Sequence, residues 1–154
     1  MIKIRTAWNK KVRNATKCEF NGIKLESELE LFCYKALIKE GIEFEYNPQS
    51  FCLIDGISGL QNTLHEFTFN SKGEIKDSIG SNIRPITYTP DFVGNNWILE
   101  TKGIPNELFP MRWKLFKRML ILTNSGYKHI FIAHNQKQVL ECIEIIKSLQ
   151  LIKV

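Results

Sequence analysis

The stretch Ile86 to Gly103, ITYTPDFVGNNWILETKG, constrains the chain more than any other. It joins an aspartate behind a proline, a polar turn, and an apolar run carrying a glutamate and a lysine two residues apart. Alternation along a strand puts Ile98, Glu100 and Lys102 on one face and Trp97, Leu99 and Thr101 on the other. An acid and a base are thereby held side by side. Asparagine tolerates positive φ, so Asn95-Asn96 suits a two-residue hairpin loop. With that loop Gly94 faces Trp97, Val93 faces Ile98, Phe92 faces Leu99 and Asp91 faces Glu100. A three-residue loop would flip the register and send Asp91 and Glu100 to opposite faces, and Pro90 is a second source of distortion.

Two ionised carboxylates a few ångströms apart repel, and the ordinary remedies are to protonate one or to place a cation between them. Oxygen ligands with a neighbouring lysine and no supporting His or Cys favour magnesium or manganese over zinc. Such an ion would activate water and neutralise charge developing on a phosphate, with Lys102 orienting the water or stabilising the transition state. The plain alternative is an exposed hairpin with a Glu-Lys pair. The preceding Pro-Asp and the apolar strand favour a site.

T-P-D-F followed after the turn by E-T-K-G resembles the PD-(D/E)XK nuclease superfamily, and in detail the phage junction-resolving endonucleases. It is also similar to a group of small phage-encoded proteins with an I-x-Y-x-x-D-F…E-x-K-G core. The resemblance spans about Phe20 to Gly103. It implies a single-domain α/β protein of restriction-endonuclease-like fold, with a mixed central β-sheet flanked by α-helices. It further implies a catalytic set of Glu30, Asp91, Glu100 and Lys102, with Asp91, Glu100 and the backbone carbonyl of Thr101 holding Mg2+ or Mn2+.

Glu30 has two readings. Ser27 followed three residues later by Glu30 forms a capping box at the start of a helix, which by itself accounts for the glutamate. It also falls at the margin of an apolar stripe of Leu29, Phe32, Cys33, Ala36 and Leu37, from which an acid could reach inward; Gly41 ends this helix. Ser27 to Tyr46, SELELFCYKALIKEGIEFEY, resembles the first helix of the junction-resolving family, where the matching glutamate is a catalytic-site acid. Glu26 and Glu28 are the weaker substitutes.

The formal charge of +5 is unevenly spread. Before Leu25 stand Lys3, Arg5, Lys10, Lys11, Arg13, Lys17 and Lys24 against the single acid Glu19. Residues 1–19 therefore read as a basic arm, with a short strand at Met1 to Arg5, and Lys10, Lys11 and Arg13 as phosphate contacts; a solvated tail is the alternative. Arg112, Lys114, Lys117 and Arg118 lie on a helix expected over Arg112 to Thr123, with Trp113, Phe116, Leu120 and Ile121 on its apolar side. These four cations suit the strand flanking a scissile bond or, alternatively, a solvated face.

Residues 20–154 are expected to form the nuclease domain, 154 residues in all being enough for one core. Phe20 to Ile23 reads as a turn or short hairpin, and Ile42 to Ile54 as the first strand of the sheet, interrupted at Asn47-Pro48. Residues 55–83 look like an inserted excursion with a hairpin turn at Asn70 to Gly73, either a DNA-contacting flap, an interface or a passive loop. Lys128 to His134 suits a buried strand, and Gln136 to Leu149 a helix with Val139, Cys142, Ile143 and Ile146 facing inward. His129 and His134 fall on opposite strand faces and make no two-ligand zinc site. Cys18, Cys33, Cys52 and Cys142 form no C-x-x-C pair and read as reduced thiols.

No apolar run approaches a membrane span and no charged-then-apolar leader is evident, so a cytoplasmic protein is expected, in the host cytoplasm if phage-encoded. The expected partner is DNA, branched DNA such as a Holliday junction being one candidate. Symmetric junction cutting would require a homodimer. Competing readings are a binding module without catalysis, in replication, packaging or virion assembly, and a restriction- or transposase-like subunit that cuts only with a partner protein.

Overall fold

The computed structural model describes residues 16–58, 65–79 and 82–151. The arm residues Lys10, Lys11 and Arg13 and the strand expected at Met1 to Arg5 lie outside these. Among the described residues the chain is mixed α/β, with three helices, one four-stranded sheet and three two-stranded sheets.

The first hairpin pairs β1 (Cys18–Phe20) with β2 (Ile23–Leu25) through Asn21 and Gly22, whose φ values of 51° and 78° are those a tight hairpin turn requires. Cys18 and Glu19, read as arm, are already strand. Helix α1 (Glu28–Lys39) follows, capped by Ser27, whose hydroxyl accepts from Glu30 N. It closes at Gly41, φ 67°, where Gly41 N donates to Ile38 O and Ile42 N to Leu37 O, the paired bonds of a Schellman cap.

The expected strand from Ile42 to Ile54 divides in two. Asn47, at φ 46°, turns the chain, so β3 (Glu45–Tyr46) joins the four-stranded sheet and β4 (Phe51–Ile54) pairs elsewhere with β7 (Ile86–Tyr88). The excursion carries β5 (His65–Phe69) and β6 (Ile75–Ile79), antiparallel across the turn expected at Asn70 to Gly73.

The principal sheet runs β10-β9-β8-β3, with β8 (Phe92–Val93), β9 (Trp97–Thr101) and β10 (His129–Ala133). β8 is antiparallel to β9 and to β3, while β10 is parallel to β9, so the sheet is mixed. Parallel neighbours need a long crossover, which α2 (Phe109–Leu122) supplies. The helix begins before Arg112 because Pro110, lacking an N–H, is well suited to a first turn that needs none.

Alternation along β9 sorts the core into two layers. Trp97 and Leu99 pack with Phe92 and Ala133 against α1 (Cys33, Leu37) and α3 (Gln136–Leu151; Val139, Cys142, Ile143, Ile146). Ile98 packs with Val93 and Tyr88 against Phe109, Trp113, Phe116 and Leu120 of α2. Two helices thus cover one face and one the other. Ile121, expected inside, is 78% exposed, because the buried side of α2 is already supplied by Trp113, Phe116 and Leu120. β10, expected to be buried, occupies the sheet edge, and only Ala133 of its five residues is fully enclosed. Of the four free cysteines, Cys33 and Cys142 are buried in the core and Cys52 is exposed. No helix among the described residues is long and apolar enough to cross a membrane.

The turn that fixes the site is closed by Gly94 N donating to Trp97 O at 2.9 Å. Gly94 has no room for a side chain, since a Cβ there would run into the Trp97 indole. Gly94→Ala should therefore lower stability by about 1–3 kcal/mol, the usual cost of overpacking. Urea unfolding measures it; an unchanged midpoint would show that the indole moves aside freely.

Candidate active site

Pairing of Phe92 with Leu99 and of Val93 with Ile98 is the two-residue-loop register. Continued one step, it sets Asp91 against Glu100. Asp91 enters β8 behind the buried Pro90, and its Oδ2 accepts from Thr101 N at 2.7 Å and Thr101 Oγ1 at 2.6 Å. Glu100 is only 3% exposed; its Oε1 lies 3.5 Å from Lys102 Nζ, while Oε2 is buried without a hydrogen-bond partner. Lys102 continues β9 through Lys102 N to Ala133 O, 2.8 Å, and its Nζ stands 5.0 Å from the centre of the Phe109 ring.

Burial raises the pKa of Asp91, and the adjacent Glu100 and then Glu30 add to the rise, against the two Thr101 hydrogen bonds that lower it; the net effect carries Asp91 up to about 8. Burial also raises Glu100, opposed by the Tyr88 hydroxyl and by Lys102. Both shifts begin with burial, and Asp91 is raised further by the carboxylate beside it.

Glu30 is buried, whereas Glu26 and Glu28 are exposed. The capping role holds, and the carboxylate does reach inward. Its backbone N–H is capped by Ser27, while its carboxylate accepts from Ser27 Oγ at 3.1 Å, Glu26 N at 3.0 Å and Tyr46 Oη at 2.7 Å. Its lone pairs are well used, so its influence on Asp91 is through charge.

Asp91, Glu100 and Lys102 share a cleft of about 350 Å3 with Tyr88, Asn106 and Arg112. Arg112 is thus the one basic residue of α2 that lines the cleft; Lys114, Lys117 and Arg118 are exposed on the same helix but are not part of its wall. A larger concavity of about 770 Å3 opens at the turn end of the hairpin, beside Gly94 and Asn95, and contains none of the paired acids.

Comparison with protein-family models, curated proteins and solved structures finds no match. The chemistry must accordingly be read from the side chains. Among the described residues no three His, Cys, Asp or Glu side chains converge as a ready-made metal cage. Magnesium does not demand one, being commonly held by one or two carboxylates and otherwise by water. An unpaired, buried Glu100 Oε2 beside Asp91 fits that requirement, and a cation there would take over the role of the proton that the isolated pair retains.

Five residues of the cleft wall, Thr87, Tyr88, Thr89, Asn106 and Phe109, were not among those the sequence marked for the site. Tyr88 was visible in the sequence only as part of an I-x-Y core, and alternation would set it on the face of the exposed Ile86, so its burial could not be read from the pattern. Asn106, whose Oδ1 accepts from Phe109 N at 2.9 Å, lies in the connection after Gly103, where no periodicity marks it.

Proposed function

We propose that this chain is a metal-dependent endodeoxyribonuclease with a restriction-endonuclease-like fold, related to the PD-(D/E)XK nucleases. The observation that carries the reading is the buried, unpartnered Glu100 Oε2 set against Asp91 with Lys102 at its mouth. Binding alone gives no reason to bury paired acids where a polyanion would approach.

Asp91, Glu100 and the Thr101 carbonyl would hold magnesium or manganese, which supplies an activated water and neutralises charge on the phosphate. Lys102 would orient that water or stabilise the charge gathering on the phosphoryl oxygens. Attack would be in line: the water oxygen would bond to phosphorus and give up its proton to solvent, the opposite P–O bond would break, and the departing oxygen would take a proton from solvent. Arg112 would grip a neighbouring phosphate from α2, with Lys114, Lys117 and Arg118 farther along the backbone and Lys10, Lys11 and Arg13 on the arm. Glu30 would tune Asp91 from a distance. Branched DNA is one candidate substrate on the resemblance; symmetric junction cutting would call for a homodimer, in the host cytoplasm if the chain is phage-encoded.

A second reading is a nuclease subunit that acts with a partner protein, phage-encoded or transposase-like. It is favoured by the β5–β6 hairpin, where Phe69 and Ile75 are 69% and 67% exposed.

The decisive assay incubates the protein with supercoiled plasmid, linear duplex and a four-way junction in magnesium, manganese or EDTA. Metal-dependent cleavage, strongest on the junction, is expected. Binding to all three with no product in either metal would favour the non-catalytic module.

A further inference from the structure

We propose that the Tyr88 hydroxyl is a positioning group for Glu100, donating a hydrogen bond that holds the carboxylate while its remaining lone pairs stay open to a cation. The inference rests on the metal-dependent reading above and adds a residue to it.

β7 presents Ile86 and Thr87 to solvent and turns Tyr88 inward. The Tyr88 ring is clamped by α2, its centroid 4.7 Å from that of Phe116 and 5.9 Å from that of Trp113. A ring so fixed aims its hydroxyl reproducibly. That hydroxyl is buried without a partner of ordinary geometry, as is Glu100 Oε2, and both residues line the same cleft. A buried polar atom left unpaired is costly, and two facing the same space point to one shared task.

The donors that the hairpin itself offers are already committed. Thr101 supplies both of its hydrogen bonds to Asp91, and Lys102 stands toward Glu100 Oε1 at 3.5 Å, long for a hydrogen bond. Tyr88 is left as the neutral donor for the inner side of Glu100. Both groups line one cleft, and a small adjustment on cation binding would complete the bond between them. Outer partners of this kind orient metal-holding carboxylates.

Tyr88→Phe removes the hydroxyl and keeps the ring. Manganese affinity of the full chain, followed by electron paramagnetic resonance, should fall about 10- to 100-fold. The metal-free melting temperature should hold or rise, since an unpaired hydroxyl is lost, and plasmid cleavage at saturating DNA should slow without a change in KM. Manganese affinity equal to that of the wild type would overturn the proposal, as would a weakened affinity explained by a matching loss of metal-free stability. A wild-type protein that binds no manganese would overturn both this proposal and the site. Wild type that binds manganese but cuts no DNA removes only the nuclease reading, and the affinity comparison still decides the role of Tyr88.

Discussion

Lys102→Ala should slow metal-dependent DNA cleavage by about a hundredfold to a thousandfold, the usual cost of deleting a group that stabilises transition-state charge. Its Nζ is 3.5 Å from Glu100 and borders the cleft floor, so the charge acts where the phosphate must sit. Its side chain is 30% exposed and contributes little to the core, and melting temperature should stay near the wild-type value. Asp91→Asn should match this loss for a different reason. The asparagine carbonyl can still accept from Thr101 N and Oγ1, but its NH2 then replaces the carboxylate's second oxygen, turning an acceptor for a cation into a donor. DNA affinity in gel-shift assays should hold or improve in this variant, because negative charge has been removed. Full cleavage activity in either protein would remove that residue from the mechanism.

The second large effect is on stability. Asp91 is raised from 3.8 to about 8 by burial, by Glu100 and by Glu30. The folded protein therefore keeps a proton that the unfolded chain has already released. Stability from this group is present in full below about pH 4 and is lost as the pH climbs through about 8, at a limiting rate of about 1.4 kcal/mol per pH unit. Glu100, raised for the same cause, contributes in the same direction. Metal-free protein should thus melt several degrees lower at pH 8 than at pH 5.5. Magnesium at a hundred times its dissociation constant should restore about 2.7 kcal/mol at the higher pH. Asp91→Asn, carrying no charge to bury, should melt higher than metal-free wild type at pH 8 and ignore magnesium. A wild-type melting temperature that is flat with pH, or that rises toward pH 8, would contradict the account.

What could be read from the residues was what local periodicity and turn chemistry decide. The hairpin register is the one a two-residue loop gives, although neither Asn95 nor Asn96 adopts the positive φ on which that expectation rested, and β9 alternates as ILETK requires. Val139, Cys142, Ile143 and Ile146 line the inner side of α3, and Ser27 caps α1. The misses came from tertiary geometry. Nothing local to Ile42 to Ile54 says that Asn47 adopts positive φ and parts the run between two sheets. The apolar β10 reads as buried, yet only its position at a sheet edge determines how much of it is covered. Ile121 belongs to the same case, since composition cannot tell which flank of α2 meets the sheet. In the site, Asp91, Glu100 and Lys102 were legible because one hairpin brings them together. Tyr88 was not, because its place opposite Glu100 depends on packing between β7 and α2, elements separated in sequence. The hydrogen-bond saturation of Glu30 was equally hidden, since it requires Tyr46 from β3.

The central claim is that Asp91 and Glu100 together hold a divalent cation. Anomalous scattering from a crystal soaked in manganese tests it most directly. A single strong peak within ligand distance of both carboxylates, absent from Glu100→Gln crystals, is the expected result. Density confined to other surfaces, with Asp91 and Glu100 unchanged and no ion between them, would contradict it.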